Sequence, residues 1–200
     1  MATGAREDLR KEVEGRLEAV LAPDSAERLE NKFEVMRLEE EAARTGKAQV
    51  AEKGAYTWFN RLCALRFMDA HGYTPTPLVT PREGSTIPAI LADAQRGMFD
   101  PSYKIPQEVR ERVLALLSGT TAQANATEAA YAELIKAACA YYTKPMPYLF
   151  SEDATSNLLM PQGLLAQKSI LKRIVEEMDE DTCASVEVLG WLYQFYVYGK

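Results

Sequence analysis

Residues 55 to 73, Ala-Tyr-Thr-Trp-Phe-Asn-Arg-Leu-Cys-Ala-Leu-Arg-Phe-Met-Asp-Ala-His-Gly-Tyr, contain no proline. Their first glycine is Gly72, where a helix is expected to stop. On a wheel of about 100° per residue, Trp58, Phe59, Leu62, Leu65 and Met68, with Tyr56, Cys63 and Phe67, leave little polar surface. Thr57, Asn60 and Arg61 cluster on one narrow side, and Arg66 and Asp69 fall near the opposite side. A soluble helix this apolar must be covered from several directions, so it is predicted to be the central helix of a bundle. It is too short and too charged to span a bilayer.

Composition agrees with a packed, water-soluble chain. Two hundred residues, 47% of them hydrophobic and 26% charged, suffice for one domain, or one and a half, with a proper core. The net charge of −6 counts against tight nucleic-acid binding by this segment alone, because phosphate contacts need clustered Lys and Arg. Cys63, Cys139 and Cys183 lie far apart in apolar helical contexts and read as buried thiols rather than disulfides, which points to the cytoplasm. The N-terminus, Met-Ala-Thr-Gly-Ala-Arg-Glu-Asp-Leu, lacks the apolar run of a signal peptide.

Around the central helix, predicted over about 48–72, helical periodicity recurs. Leu9, Val13, Leu17 and Val20 form one buried stripe over residues 5 to 21. After Ala22-Pro23-Asp24-Ser25, where Asp24 or Ser25 can cap, a second helix is predicted to carry Leu29, Phe33 and Met36 inward. Its charged run Glu39-Glu40-Glu41 reads as a solvated face ending at Gly46. Residues 1–46 thus read as an N-terminal helical hairpin, and 47–198 as a helical domain continuous with it.

Beyond Gly72 a proline-punctuated connection leads to a short helix from Pro88 to Arg96, a turn at Phe99–Tyr103, and a helix opened by Pro106 and ended by Gly119. Thr127 can cap a helix reaching Tyr142, and Lys144-Pro145-Met146-Pro147 then imposes an extended path. Tyr148 to Pro161 reads as irregular but packed, Gln162 to Met178 as an amphipathic helix, and Cys183 to Tyr198 as a final apolar helix. The fold class is all-α: a multi-helix bundle with long proline-containing connections.

Chemistry is harder to find. His71 stands two residues beyond Asp69, but nothing at ligand spacing completes a metal site, so it reads as a helix C-terminal residue. Arg66 and Asp69, three apart, can pair on one face as a structural ion pair. Asn60 and Arg61 are the candidates for outward contact with phosphate or a partner domain. The positive charges that could serve DNA contact are Arg61, Arg82, Lys104, Lys168, Lys172 and Arg173; of these Lys168, Lys172 and Arg173, within about two turns of one predicted helix, are candidates for a basic stripe, against the simpler reading of solubilising charge. The acidic run 176–181 lacks the pattern of a calcium loop, and no nucleophile elbow, phosphate loop or Cys-x-x-Cys occurs. Lys144-Pro145-Met146-Pro147-Tyr148 has the prolines and aromatic of an adenine-holding turn, but lysine can only donate where an acceptor is required.

Three stretches carry a family resemblance: Ala55 to Asp69, Cys139 to Pro161 (around Tyr148-Leu-Phe and Leu158-Leu-Met-Pro), and Val188-Leu-Gly-Trp-Leu-Tyr-Gln-Phe-Tyr196. In order and separation they resemble the N-terminal part of the adenine-specific DNA methyltransferases of BREX phage-exclusion systems, the PglX family. The resemblance covers about Gln49 to Tyr196; residues 1 to 48 match only loosely. It implies a parent enzyme that moves a methyl group from S-adenosylmethionine to the N6 of adenine in host DNA, with its catalytic domain downstream. Neither the glycine-containing cofactor loop nor the Asn-Pro-Pro-Tyr turn of that family occurs here, so no catalytic or cofactor residue carries over. The implied role is a helical, non-catalytic domain that packs on the methyltransferase domain and meets double-stranded DNA or another BREX protein. Two other readings stand beside it: a free-standing helical interaction module that regulates a defence complex, and an enzyme with an unrecognised site.

Overall fold

A computed structural model describes residues 2–121, 123–151, 154–185, 187 and 190. Among these there are eleven α-helices and no strand, only an isolated bridge between Pro81 and Pro88. In chain order they are α1 (Ala2–Leu21), α2 (Ala26–Glu30), α3 (Lys32–Thr45), α4 (Lys47–Ala70), α5 (Ala89–Ala94), α6 (Gln107–Leu117), α7 (Ala126–Thr143), α8 (Pro147–Phe150), α9 (Ala154–Leu158), α10 (Ile170–Glu177) and α11 (Glu180–Cys183). A one-turn 3-10 helix, Pro101–Tyr103, precedes α6. The chain divides into two compact units, one built from 1–60, 152–162 and 189–200, the other from 61–151 and 163–188.

The predicted central helix is α4, stopped by Gly72 at φ +65°. Trp58, Phe59, Leu62, Cys63, Leu65, Phe67 and Met68 are all buried, as their all-round apolar pattern requires. Residues up to Asn60 belong to the first unit and those from Arg61 to the second.

In the first unit α1 buries the predicted stripe Leu9, Val13, Leu17 and Val20 completely. The next stretch departs from expectation. Asn31 (φ −130°, ψ 48°) breaks it into α2 and α3, and the buried face of α3 is Val35, Leu38 and Ala42. Leu29, Phe33 and Met36 are exposed instead. Two apolar stripes compete for the core here, and only one can face it. The Trp58 indole donates to the Ser156 carbonyl at 2.8 Å, and Arg16 Nε donates to the Leu158 carbonyl at 3.0 Å, so the return segment 154–162 is pinned by its backbone.

In the second unit α7 is the hub on which α5, α6, α8 and the 3-10 turn pack. It buries Ala130, Tyr131, Leu134, Ile135, Ala138, Cys139 and Tyr142, a stripe broad enough to serve several neighbours. Tyr103, Tyr141, Tyr142 and Phe150 form an aromatic cluster of mostly edge-on contacts at its C-terminal end. The prolines after α7 make a tight turn rather than an extended path. The Met146 amide reaches back to the Tyr142 carbonyl, and Pro147 opens α8 because its missing N–H is not needed there. That places Tyr148 wholly in solvent instead of in the core.

The helix expected over 162–178 is shorter. Residues 163–169 are turns, Gly163 has φ +70°, and α10 starts only at Ile170, where the Ser169 hydroxyl caps by accepting from the Lys172 amide at 3.2 Å. The Glu128 carboxylate holds the preceding turn by accepting from the amides of Leu164 and Leu165 at 2.6 and 3.1 Å. The apolar helix expected over 183–198 does not begin at Cys183, which closes α11 ahead of a turn at Ala184 and Ser185; most of the rest lies outside the described residues.

Gly54 sits mid-helix in α4, where glycine costs about 1 kcal/mol relative to alanine. Close packing accounts for it: a Cβ there would stand 3.0 Å from both Leu159 Cδ1 and Val13 Cγ1. Gly54→Val is therefore expected to destabilise the chain by about 1–3 kcal/mol, overpacking outweighing the few tenths gained in helix propensity. Urea unfolding checks this; an unchanged or raised midpoint would show that the contact is slack.

Candidate functional site

Three charged residues in the C-terminal half of α4, Arg61, Arg66 and Asp69, act mainly on backbone. Arg61 is 1% exposed. Its guanidinium donates to the carbonyls of Ser151 at 2.8 Å and Leu149 at 3.4 Å, which holds the end of α8. Arg66 is also buried, and donates to the Met178 carbonyl at 2.7 Å and to Thr80 Oγ1 at 3.0 Å. Asp69 accepts four hydrogen bonds: Oδ1 from Thr74 Oγ1 at 2.7 Å and the Leu78 amide at 2.9 Å, Oδ2 from the amides of Val79 and Thr80, each at 2.9 Å. Arg66 and Asp69 therefore do not serve as a simple pair; they meet on Thr80 from either side.

The connection between α4 and α5 receives further support from buried tyrosines. Tyr131 donates to the Leu78 carbonyl at 3.1 Å and Tyr103 to the Thr76 carbonyl at 2.6 Å. Burial pushes both phenols well above their ordinary range, so they stay neutral donors.

The predicted contact residues fare differently from one another. Arg61, expected to point outward, is an internal brace; its polar neighbours on the wheel concealed carbonyl partners far along the chain. Asn60 beside it is half-buried. Lys168 is exposed but precedes α10, so the helical stripe expected with Lys172 and Arg173 does not form as such. Lys172 Nζ donates to the Thr86 carbonyl at 2.6 Å, and Arg173 is half-buried. Arg82 is engaged by the Asp93 carboxylate, whose hydrogen bond holds that carboxyl below its usual range.

Groups capable of chemistry are occupied structurally. Desolvation pushes the Cys139 thiol up to about 12 and raises those of Cys63 and Cys183 as well, so all three are weak nucleophiles. His71 Nδ1 lies 2.9 Å from the Phe67 carbonyl, and its ring stacks on Tyr73 with centroids 5.3 Å apart. Among the described residues no cluster of three His, Cys, Asp or Glu side chains could hold a metal ion, and no helix is long and apolar enough to cross a membrane. In the first unit an open polar cleft of about 560 Å³ is lined by Arg37, Glu40, Glu41, Arg44, Lys53 and Thr155, with Lys53 paired to Glu41 at 2.9 Å.

Sequence reasoning missed the exposed apolar residues. Leu29 is 89% exposed, Phe33 76% and Met36 45%. The signal was present in the second stripe, Val35, Leu38 and Ala42, but periodicity alone could not rank the two.

Comparison with known proteins gives two relatives. The chain is 36% identical over 176 residues to the adenine-specific methyltransferase BrxX of Escherichia coli O9:H4 (strain HS), covering 82% of this chain and 13% of BrxX. It is 28% identical over 156 residues to the adenine-specific methyltransferase PglX of Lacticaseibacillus casei (strain Zhang), covering 72% of this chain and 12% of PglX. The chain thus spans about an eighth of the length of either relative. No family profile matches the sequence.

The two basic residues that differ most in setting can be told apart by substitution. Arg61→Met strands two carbonyls and is expected to cost about 2–4 kcal/mol of stability, whereas Lys168→Ala should change it by less than about 0.5 kcal/mol. Thermal and urea unfolding of both variants check this; equal, small effects would return Arg61 to the surface.

Proposed function

This chain is homologous to one region of the BrxX and PglX adenine-specific methyltransferases of BREX systems, and on that premise we propose that it is their helical, non-catalytic N-terminal region. Its work is mechanical: it packs against the catalytic part of a cytoplasmic phage-defence enzyme that methylates adenine in DNA with S-adenosylmethionine. The observation that carries this reading is the disproportion of the match, most of this chain against a small fraction of each relative. The sequence itself lacks both the cofactor loop and the base-holding turn that the chemistry needs. Arg61, Arg66 and Asp69 are engaged in bracing backbone, which suits a rigid support better than a reaction centre.

Any contact of this region with duplex DNA or with another BREX protein falls first to the exposed Lys168, with Arg173 and Lys172 near it in sequence. A net charge of −6 makes such DNA contact weak.

A graft tests the role. BrxX with its matching segment deleted should lose methyl transfer to adenine in duplex DNA. BrxX carrying this chain in place of that segment should regain it, while the 200-residue chain alone transfers no methyl group. Methylation by the isolated chain, or full activity of the deletion, would contradict the proposal.

A further inference from the structure

We propose that Leu29, Phe33 and Met36 form the face on which another region of the same methyltransferase polypeptide docks. This rests on the reading that the chain supports a larger enzyme, and it adds the surface and its chemistry.

A single exposed apolar residue needs no explanation, but three within the stretch 29–36, divided by Asn31 between α2 and α3, do. Leu29 and Phe33 are 89% and 76% exposed, and Met36, three residues on in α3, is 45% exposed. Polar clamps hold the same elements in place. Arg28 in α2 donates to the carbonyls of Leu21 at 2.7 Å and Ala22 at 2.8 Å, and also engages Glu39 of α3. Glu27 beside it accepts from Arg16 at 2.5 Å, and Arg16 is itself tied to the Leu158 carbonyl. With Val35, Leu38 and Ala42 in the core, α3 cannot rotate to bury Phe33 without exposing them. The face is preset, so little ordering cost opposes docking.

Charge identifies the class of occupant. Arg37, Glu40 and Arg44 are exposed on the same side of α3 as Phe33, and Glu40 and Glu41 share the neighbouring cleft with Arg37, Arg44 and Lys53. Glutamates interleaved with arginines repel a phosphate backbone as much as they attract it, whereas an apolar centre with a mixed-charge rim is the anatomy of a protein interface. Most of each relative's length lies outside the segment this chain matches, and that polypeptide is tethered to it, which favours it over an untethered partner.

The test uses the 200-residue chain and, as probe, E. coli BrxX purified without its matching segment. Calorimetric titration should show binding by the wild-type chain, weakened about tenfold or more by Leu29→Ser, Phe33→Ser and Met36→Ser combined. The urea midpoint of this variant should not fall, because these side chains do not support the fold. Equal binding by the variant would overturn the proposal and leave the supporting role intact. Absence of wild-type binding would remove both. Sedimentation showing a dimer of the chain, dissolved by the same substitutions, would make a second copy the occupant and overturn the proposal as well.

Discussion

A peptide group that leaves a helix must find another partner or stay wet. In the segment after α4 that partner is Asp69: its carboxylate collects the amides of Leu78, Val79 and Thr80 and the hydroxyl of Thr74. Charged acceptors make stronger hydrogen bonds than neutral ones, so one side chain can fix a connection with no regular structure of its own. Arg66 completes the arrangement by reaching Thr80 and the end of α10 at once. The same device recurs where Arg61 holds the end of α8 and where Glu128 holds the turn before α10. Irregular chain between the helices is braced by buried or half-buried charge carried on them.

This economy explains which parts of the molecule were legible beforehand. The all-round apolar character of α4 and its stop at Gly72 are local signals, and both are read correctly from residues 55 to 73. The short helix after Pro88 and the helix after Pro106 are equally local, because proline marks where they start. Arg61 was misread because its carbonyl partners lie some ninety residues away and no periodicity encodes them. Leu29, Phe33 and Met36 were misread for a different reason: two stripes of similar apolarity share one stretch, and the break at Asn31 decides between them. The late start of α10 had a visible sign in Ser169, a capping residue just before the apolar run, which the longer periodic reading absorbed.

Site chemistry was legible mainly by resemblance. The three matching stretches point to a methyltransferase family, and the relatives BrxX and PglX bear that out. No reading of individual side chains would have led there, because the residues that look reactive are engaged elsewhere: thiols desolvated, His71 against Phe67 and stacked on Tyr73, Tyr103 and Tyr131 bound to carbonyls. Among the described residues the large apolar side chains left exposed are Leu29, Phe33 and Met36 on α2 and α3, with Tyr73, Met98, Leu114 and Tyr148 elsewhere.

The account depends on the brace at Asp69 being formed in solution. Amide hydrogen exchange by NMR tests it directly. Leu78, Val79 and Thr80 lie outside helix and sheet, yet their amides should be protected nearly as well as those in the buried middle of α4, and Asp69→Ala should remove that protection selectively. Exchange of these three amides at the rate of an open loop in the unsubstituted chain would contradict it.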